Sequence, residues 1–125
     1  MKRRTLRQLK AKVAAENGEA HHHHVYVILL EARAGRNLRI RKLNPNRDKA
    51  KPCVYVGMTG LKPEERFENH KQGKKSAWVV QKFGLRLLPE LYACLNPMPY
   101  EAAAEMEVEL AEDLRNEGYT VTGGH

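Results

Sequence analysis

Apolar residues are concentrated in a few short runs that are separated by turn-forming and charged residues. The runs "VYVILLEA" and "CVYVGMT" are rich in β-branched and aromatic residues, which is typical of buried strands. A third run, "LRLLPELYACL", predicts another strand that is interrupted or bent at Pro89, and "YTVT" predicts a last edge strand. Cys53 and Cys94 lie in two of these runs, so we expect both to be buried, reduced thiols.

Three helices are predicted between and after these strands. The first extends from Pro63 to Gln72, because a proline suits the first helical turn and Gly73 follows the end. The second covers "KKSAWVVQKFG" and ends at Gly84. The third covers "PYEAAAEMEVELAEDLRNEG", which is rich in Ala, Glu and Leu. This mixture of short strands and helices predicts one small α/β or α+β domain.

Positive charge is concentrated in the first part of the chain. Residues 1–52 contain 14 Lys and Arg against 4 Asp and Glu, whereas residues 53–125 contain 8 against 11. This imbalance indicates a polyanionic partner, nucleic acid rather than membrane, because no stretch is long and apolar enough to enter a bilayer. A solubilising surface is the alternative interpretation. Residues 1–23 are predicted to be a basic arm, and they lack the apolar segment of a signal peptide, so we expect a cytoplasmic protein.

A turn-rich basic segment separates the first two predicted strands. Seven basic residues stand between Arg33 and Lys49, and Gly35, Pro45 and Pro52 mark turns. The pattern predicts a basic loop or an extended hairpin. A loop at this place can reach a ligand that is held over the sheet.

Arg66 and His70 lie four residues apart in the first predicted helix, so their side chains project from the same side. Phe67 lies between them around the helix axis and is the obvious core anchor, which places both near the boundary between core and solvent. A surface arginine and a partly packed histidine are the ordinary interpretation of such a pair. A functional interpretation depends on the rest of the sequence.

Glu107 lies on the apolar side of the last predicted helix. At about 100° per residue it falls in the same arc as Met106, Leu110 and Leu114. Four other glutamates fall on the opposite arc: Glu101, Glu105, Glu109 and Glu112. A buried carboxylate must be paired, protonated or bound to a cation, because an isolated buried charge is costly. An inward salt bridge to an arginine and a magnesium site both satisfy this requirement.

The order of these residues resembles the GIY-YIG nuclease superfamily. "YVG" at residues 55–57 matches the second signature, and "HVY" at residues 24–26 stands where the first, Gly-Ile-Tyr, would be. The resemblance covers residues 24–122, with residues 33–52 as a basic insertion. His24 departs from the usual glycine, and the insertion replaces a tight connection. The resemblance implies a small, mainly antiparallel three-stranded sheet flanked by helices.

The resemblance also implies a metal-dependent endonuclease that hydrolyses phosphodiester bonds, in DNA rather than RNA. Tyr26 or Tyr55 would activate the attacking water, with His70 as a partner base, because a free tyrosine has a pKa of about 10. Arg66 would grip the scissile phosphate. Glu107 would hold one Mg²⁺ or Mn²⁺, and Glu105 would replace it if the helical register differs.

Phosphate contacts along the nucleic acid are expected from the insertion and from two lysines that follow the first predicted helix: Arg36, Arg39, Arg41, Lys42, Lys74 and Lys75. No membrane contact is expected, and the chain would act as a monomer or a homodimer. Two other classes of function stay open. One is a catalytically inactive module that binds nucleic acid, and the other is an accessory subunit whose basic segment contacts an acidic protein.

Overall fold

The chain folds as an α+β domain in which helices flank a four-stranded sheet. The structure, a computed structural model, describes residues 21–124, so the predicted basic arm up to residue 20 lies outside the described residues. The strands are β1 (His24–Leu30), β2 (Cys53–Thr59), β3 (Gly84–Leu87) and β4 (Thr120–Gly123). Within the described residues, no helix has both the length and the apolar character needed to cross a membrane.

The sheet is mixed, with the strand order β3-β1-β2-β4. β1 is antiparallel to β2 and to β3, whereas β4 is parallel to β2. The α+β class is confirmed, and the edge strand predicted in "YTVT" is present as β4. The sheet of three mainly antiparallel strands that the resemblance implies is wrong, because this fourth strand pairs parallel to β2. The edge of β2 would otherwise leave backbone N–H and C=O groups unpaired, and β4 pairs with them.

The third predicted strand is shorter than its apolar run. β3 ends at Leu87, and two 3-10 turns follow, Pro89–Leu91 and Ala93–Leu95. Proline lacks the N–H that a continuing strand needs, which accounts for the break. Cys94 lies in the second turn and is exposed, so the prediction of a buried thiol is wrong there, whereas Cys53 is buried as predicted.

The three predicted helices are present, and a fourth lies in the basic segment. They are α1 (Leu38–Leu43), α2 (Pro63–Lys71), α3 (Trp78–Phe83) and α4 (Tyr100–Asn116). The basic segment was predicted as a loop or hairpin, but it forms a 3-10 turn at Ala32–Arg36 followed by α1. Asn37 caps α1, because its side-chain oxygen accepts the N–H groups of Arg39 and Ile40.

Two asparagine side chains take the place of a neighbouring strand at the sheet edges. Asn44 donates to the carbonyl of Val121 at 2.8 Å and accepts its N–H at 2.9 Å. Asn96 forms the same pair of bonds with Val25, at 2.7 and 2.9 Å. Asn44 is buried and also donates to Ile40 at 2.7 Å, so the basic segment is bound directly to β4. The end of the insertion is therefore anchored to the sheet.

Candidate functional site

The pairing of β1 with β2 places two tyrosines on one face of the sheet. Tyr26 lies opposite Gly57, and Tyr55 lies opposite Ile28, two residues further along each strand. Because side chains alternate along a strand, these four positions share a face. The two tyrosine rings are 6.3 Å apart between centroids. Tyr26 is only 1% exposed, whereas Tyr55 is half-buried.

Gly57 is required because the ring of Tyr26 crosses directly over it. A Cβ at this position would lie 2.5 Å from Oη and 2.6 Å from Cζ of Tyr26, and 3.0 Å from Cε1 of Tyr55. These separations are far below a normal contact distance. The glycine of the "YVG" motif therefore permits the close approach of the two tyrosines.

Gly57→Ala is expected to displace Tyr26 and to lower the free energy of unfolding by about 1–3 kcal/mol, as overpacking in a core does. Gly60→Ala is the matched control, because the nearest heavy atom to its Cβ would be Nε2 of His23 at 3.5 Å, an ordinary contact. Urea unfolding of both variants measures the difference. Equal stability of the two variants would contradict the packing of Tyr26 against Gly57.

His70 is completely buried at the end of α2 and contacts both tyrosines. Its Nε2 lies 2.9 Å from Oη of Tyr26, and its Nδ1 accepts the backbone N–H of Ala77 at 3.2 Å. A nitrogen that accepts a hydrogen bond carries no proton, so the neutral ring carries its proton on Nε2 and donates it to Tyr26. His70 is thus deeper than the predicted boundary position. In this state it is a donor to the phenol instead of the predicted base.

Burial, and then the positive charge of Arg66, lower the pKa of His70 to about 4. The unfolded chain binds a proton at this histidine near pH 6.5, whereas the folded chain does not until about pH 4. The free energy of unfolding should therefore fall as the pH falls from 6.5 to 4, with no effect of this group above that range. Urea unfolding at several pH values measures the slope. His70→Gln should reduce it.

The control for this pH dependence is His22→Gln, which removes an exposed histidine that lies just before β1. Its unfolding free energy should keep the pH dependence of the unaltered chain between pH 6.5 and 4. If His70→Gln also keeps it, the ring of His70 takes up its proton in the folded protein without penalty, and the bond from Ala77 does not hold it neutral.

Arg66 lies on α2, half-buried, and binds the loop that follows the helix. Its Nη1 donates to the carbonyl of Lys74 at 3.2 Å, and its Nη2 donates to that of Lys75 at 2.8 Å. A guanidinium has five N–H donors, so donors are left for an anion. Lys74 and Lys75 are exposed beside it, and Lys75 has a φ of 46° in the left-handed region. Arg66 therefore fixes the backbone of the loop that carries the two predicted phosphate-contacting lysines.

Glu107 lies on the buried side of α4, as the helical periodicity predicts. It is 8% exposed, among fully buried neighbours such as Met106 and Leu110, whereas Glu105 is exposed. Burial is the main cause that raises the pKa of Tyr55, and the negative charge of Glu107 raises it further. The negative charge of Glu107 also raises the pKa of Tyr26. The carboxylate is thus within electrostatic range of both phenols.

Two interactions oppose the rise in the pKa of Tyr55. The charge of Arg66 lowers it, and so does a hydrogen bond from Tyr26. Tyr26 accepts a hydrogen bond from His70, so its own hydroxyl proton is available for this donation. The resulting chain of donors runs from the imidazole through the buried phenol to the half-buried one. Because of this chain, Tyr55 loses its proton more readily than an isolated buried tyrosine would.

A divalent cation at this site would have Glu107 as its protein ligand. Within residues 21–124, no group of three or more His, Cys, Asp and Glu side chains could hold a metal ion. A single carboxylate suits Mg²⁺ or Mn²⁺, because such ions are commonly held by one or two carboxylates, water and substrate phosphate. The residues present therefore fit a hydrated ion that binds together with a phosphate, and they do not form a protein cage.

The predicted nucleic-acid-binding residues of the insertion lie apart from the tyrosines. Arg36 and Arg41 line a cavity at the opposite end of β1, and Arg39 and Lys42 are exposed outside it. The sequence prediction missed the backbone N–H of Ala77, which sets the proton position on His70. No residue type marks a backbone donor, so the sequence carries no signal for it.

Comparisons of the chain with protein-family models, with curated proteins and with solved structures each gave no match. Function is therefore inferred from the side chains that the fold brings together. These are two phenols, an imidazole, a guanidinium and a carboxylate, contributed by β1, β2, α2 and α4. All five predicted catalytic positions converge on this one place: Tyr26, Tyr55, Arg66, His70 and Glu107.

Proposed function

We propose that this protein is a GIY-YIG-type, metal-dependent endonuclease that hydrolyses phosphodiester bonds in nucleic acid, DNA rather than RNA. The observation that carries the proposal is the convergence of Arg66, His70 and Glu107 on the Tyr26–Tyr55 pair. Phosphodiester hydrolysis needs a base for the attacking water and positive charge at the non-bridging oxygens. The phenols and the guanidinium supply these two functions.

Tyr55 is the residue that activates water in this proposal. Tyr26 is fully buried and its oxygen is bound by His70, whereas Tyr55 is half-buried and reachable from solvent. As a phenolate, Tyr55 takes one proton from the attacking water. The new P–O bond forms as the bond to the leaving oxygen breaks, and that oxygen takes a proton from solvent. Tyr26 and His70 position Tyr55 and donate toward it.

Arg66 binds the scissile phosphate with the donors that the loop carbonyls leave unused. Glu107 would hold one Mg²⁺ or Mn²⁺, which supplies positive charge to the phosphate and offsets the negative charge that raises the pKa of Tyr55. Lys74 and Lys75, whose carbonyls Arg66 binds, are exposed and add positive charge to this loop.

Incubation of the full chain with single- and double-stranded DNA and RNA tests the proposal. Cleavage is expected with Mg²⁺ or Mn²⁺ and should stop with EDTA. Absence of cleavage on every substrate, at protein concentrations that saturate binding, would overturn the catalytic proposal. Retained, salt-dependent binding would then assign a catalytically inactive nucleic-acid-binding module. Absence of both would favour an accessory subunit that contacts an acidic protein.

A further inference from the structure

A cavity of about 530 Å³ lies at the end of the sheet that is remote from Tyr26. Its floor includes Leu30, Cys53 and Thr120, which are the last residue of β1 and the first residues of β2 and β4. Its walls come from the basic insertion. The volume falls within the range of about 300–1,000 Å³ that is usual for small-molecule sites.

Five cationic side chains line this cavity: Arg36, Arg41, Arg47, Lys49 and Lys51. Among the described residues, no carboxylate lines it. Like charges that are gathered in a concave surface repel one another, and low-dielectric walls concentrate their field. The arrangement is unfavourable in isolation and becomes favourable when an anion with several charges enters.

The segment that carries these cations is bound to the rest of the fold at several points. Asn44 bonds to Ile40 and to both backbone groups of Val121, as described above. The N–H of Asp48 donates to the carbonyl of Gly118 at 2.8 Å, and the N–H of Lys51 donates to that of Asp48 at 2.9 Å. The backbone that carries the cations is therefore held in place before a ligand arrives, which lowers the backbone entropy lost on binding.

We propose that this cavity is a second anion site, separate from the tyrosine site, that binds a run of adjacent phosphate groups. Arginine matches the geometry of phosphate with paired donors, and three of the five cations are arginines. A ligand with one carboxylate or one phosphate would leave most of this charge unopposed. A run of phosphates occurs in a nucleic-acid backbone and in a free polyphosphate.

The position of the cavity favours the nucleic-acid backbone as the source of the phosphates, and this part rests on the proposed function. Tyr26 and Leu30 lie on the same face of β1, four residues apart, which is a separation of about 13 Å. A nucleic-acid backbone that lies in the cavity would thus pass within a few nucleotides of the scissile phosphate.

Calorimetric titration of the full chain with tripolyphosphate, without divalent cations, tests the anion site itself. Arg41→Gln/Arg47→Gln removes two lining charges, and Arg39→Gln/Lys42→Gln removes two charges from exposed positions outside the cavity. Both variants lower the net charge of the chain by the same amount. We expect affinity to fall at least about tenfold in the first variant and at most about threefold in the second. Equal losses, or no binding by the unaltered chain, would overturn the proposal.

Oligonucleotides of increasing length distinguish the two sources of phosphate. If the backbone occupies the cavity, affinity should rise stepwise once a strand is long enough to reach both the cavity and the tyrosine site, and the lining variant should lose this step. If tripolyphosphate and a long oligonucleotide bind at the same time, the ligand is a free polyphosphate and the anion site still stands. These measurements need no cleavage, so failure of the nuclease proposal and failure of the anion site give different results.

Discussion

Glu107→Gln is expected to reduce Mg²⁺-dependent cleavage at least about a hundredfold while the protein stays folded. Glutamine preserves the shape of a side chain that is 8% exposed, but it removes the negative charge that a hard cation requires. Cleavage rate and thermal unfolding of the same preparation measure the two effects separately. An unfolded variant would assign Glu107 to the stability of the fold.

Glu105→Gln is the matched control, because it makes the same change two residues away on the exposed side of α4. It should retain nearly full activity. If Glu105→Gln is inactive and Glu107→Gln is active, the cation is held at the exposed position. If both variants keep their activity, neither carboxylate holds a cation that the reaction needs.

Tyr55→Phe is expected to lower the cleavage rate by about 10²–10⁴-fold with little change in nucleic-acid affinity, because the loss of a general base affects the chemical step. Burial raises the pKa of Tyr55, so the phenolate fraction is small at neutral pH. The cleavage rate of the unaltered chain should therefore rise by about tenfold per pH unit above pH 7. Single-turnover kinetics across this range measure both predictions.

Two further tyrosines make the test of Tyr55 specific. Tyr100→Phe removes the hydroxyl of an exposed tyrosine and should leave the rate unchanged. Tyr26→Phe removes a hydroxyl that accepts from His70 and donates toward Tyr55 but does not act on the attacking water, so its effect on the cleavage rate should be smaller than that of Tyr55→Phe. The reverse order, with Tyr26→Phe inactive and Tyr55→Phe active, would assign the base to the buried tyrosine.

Packing around Gly57 links the sequence motif to this chemistry. The motif residue is a glycine because the ring of Tyr26 occupies the space of a side chain. Glycine inside a strand often marks a place where another group approaches the backbone closely. The absence of a Cβ at Gly57 therefore leaves room for the hydroxyl of Tyr26, which lies 2.9 Å from Nε2 of His70.

The sequence alone determined the features that depend on residues close to one another along the chain. The β-branched runs identified β1 and β2, and the proline at Pro63 marked the start of α2. The 3.6-residue period predicted that Glu107 is buried and Glu105 exposed, and the structure confirms both. Periodicity and propensity are local properties, because a residue three or four positions away lies on the same face of a helix.

Only the tertiary structure decided the features that depend on distant partners. β4 is parallel to β2, and only the pairing of these two strands reveals that direction. Asn44 bonds to Val121, 77 residues further along the chain, and this bond joins the basic segment to the sheet. The proton on His70 is placed by the N–H of Ala77. A backbone group is present at almost every residue, so neither composition nor spacing reveals which one meets a given side chain.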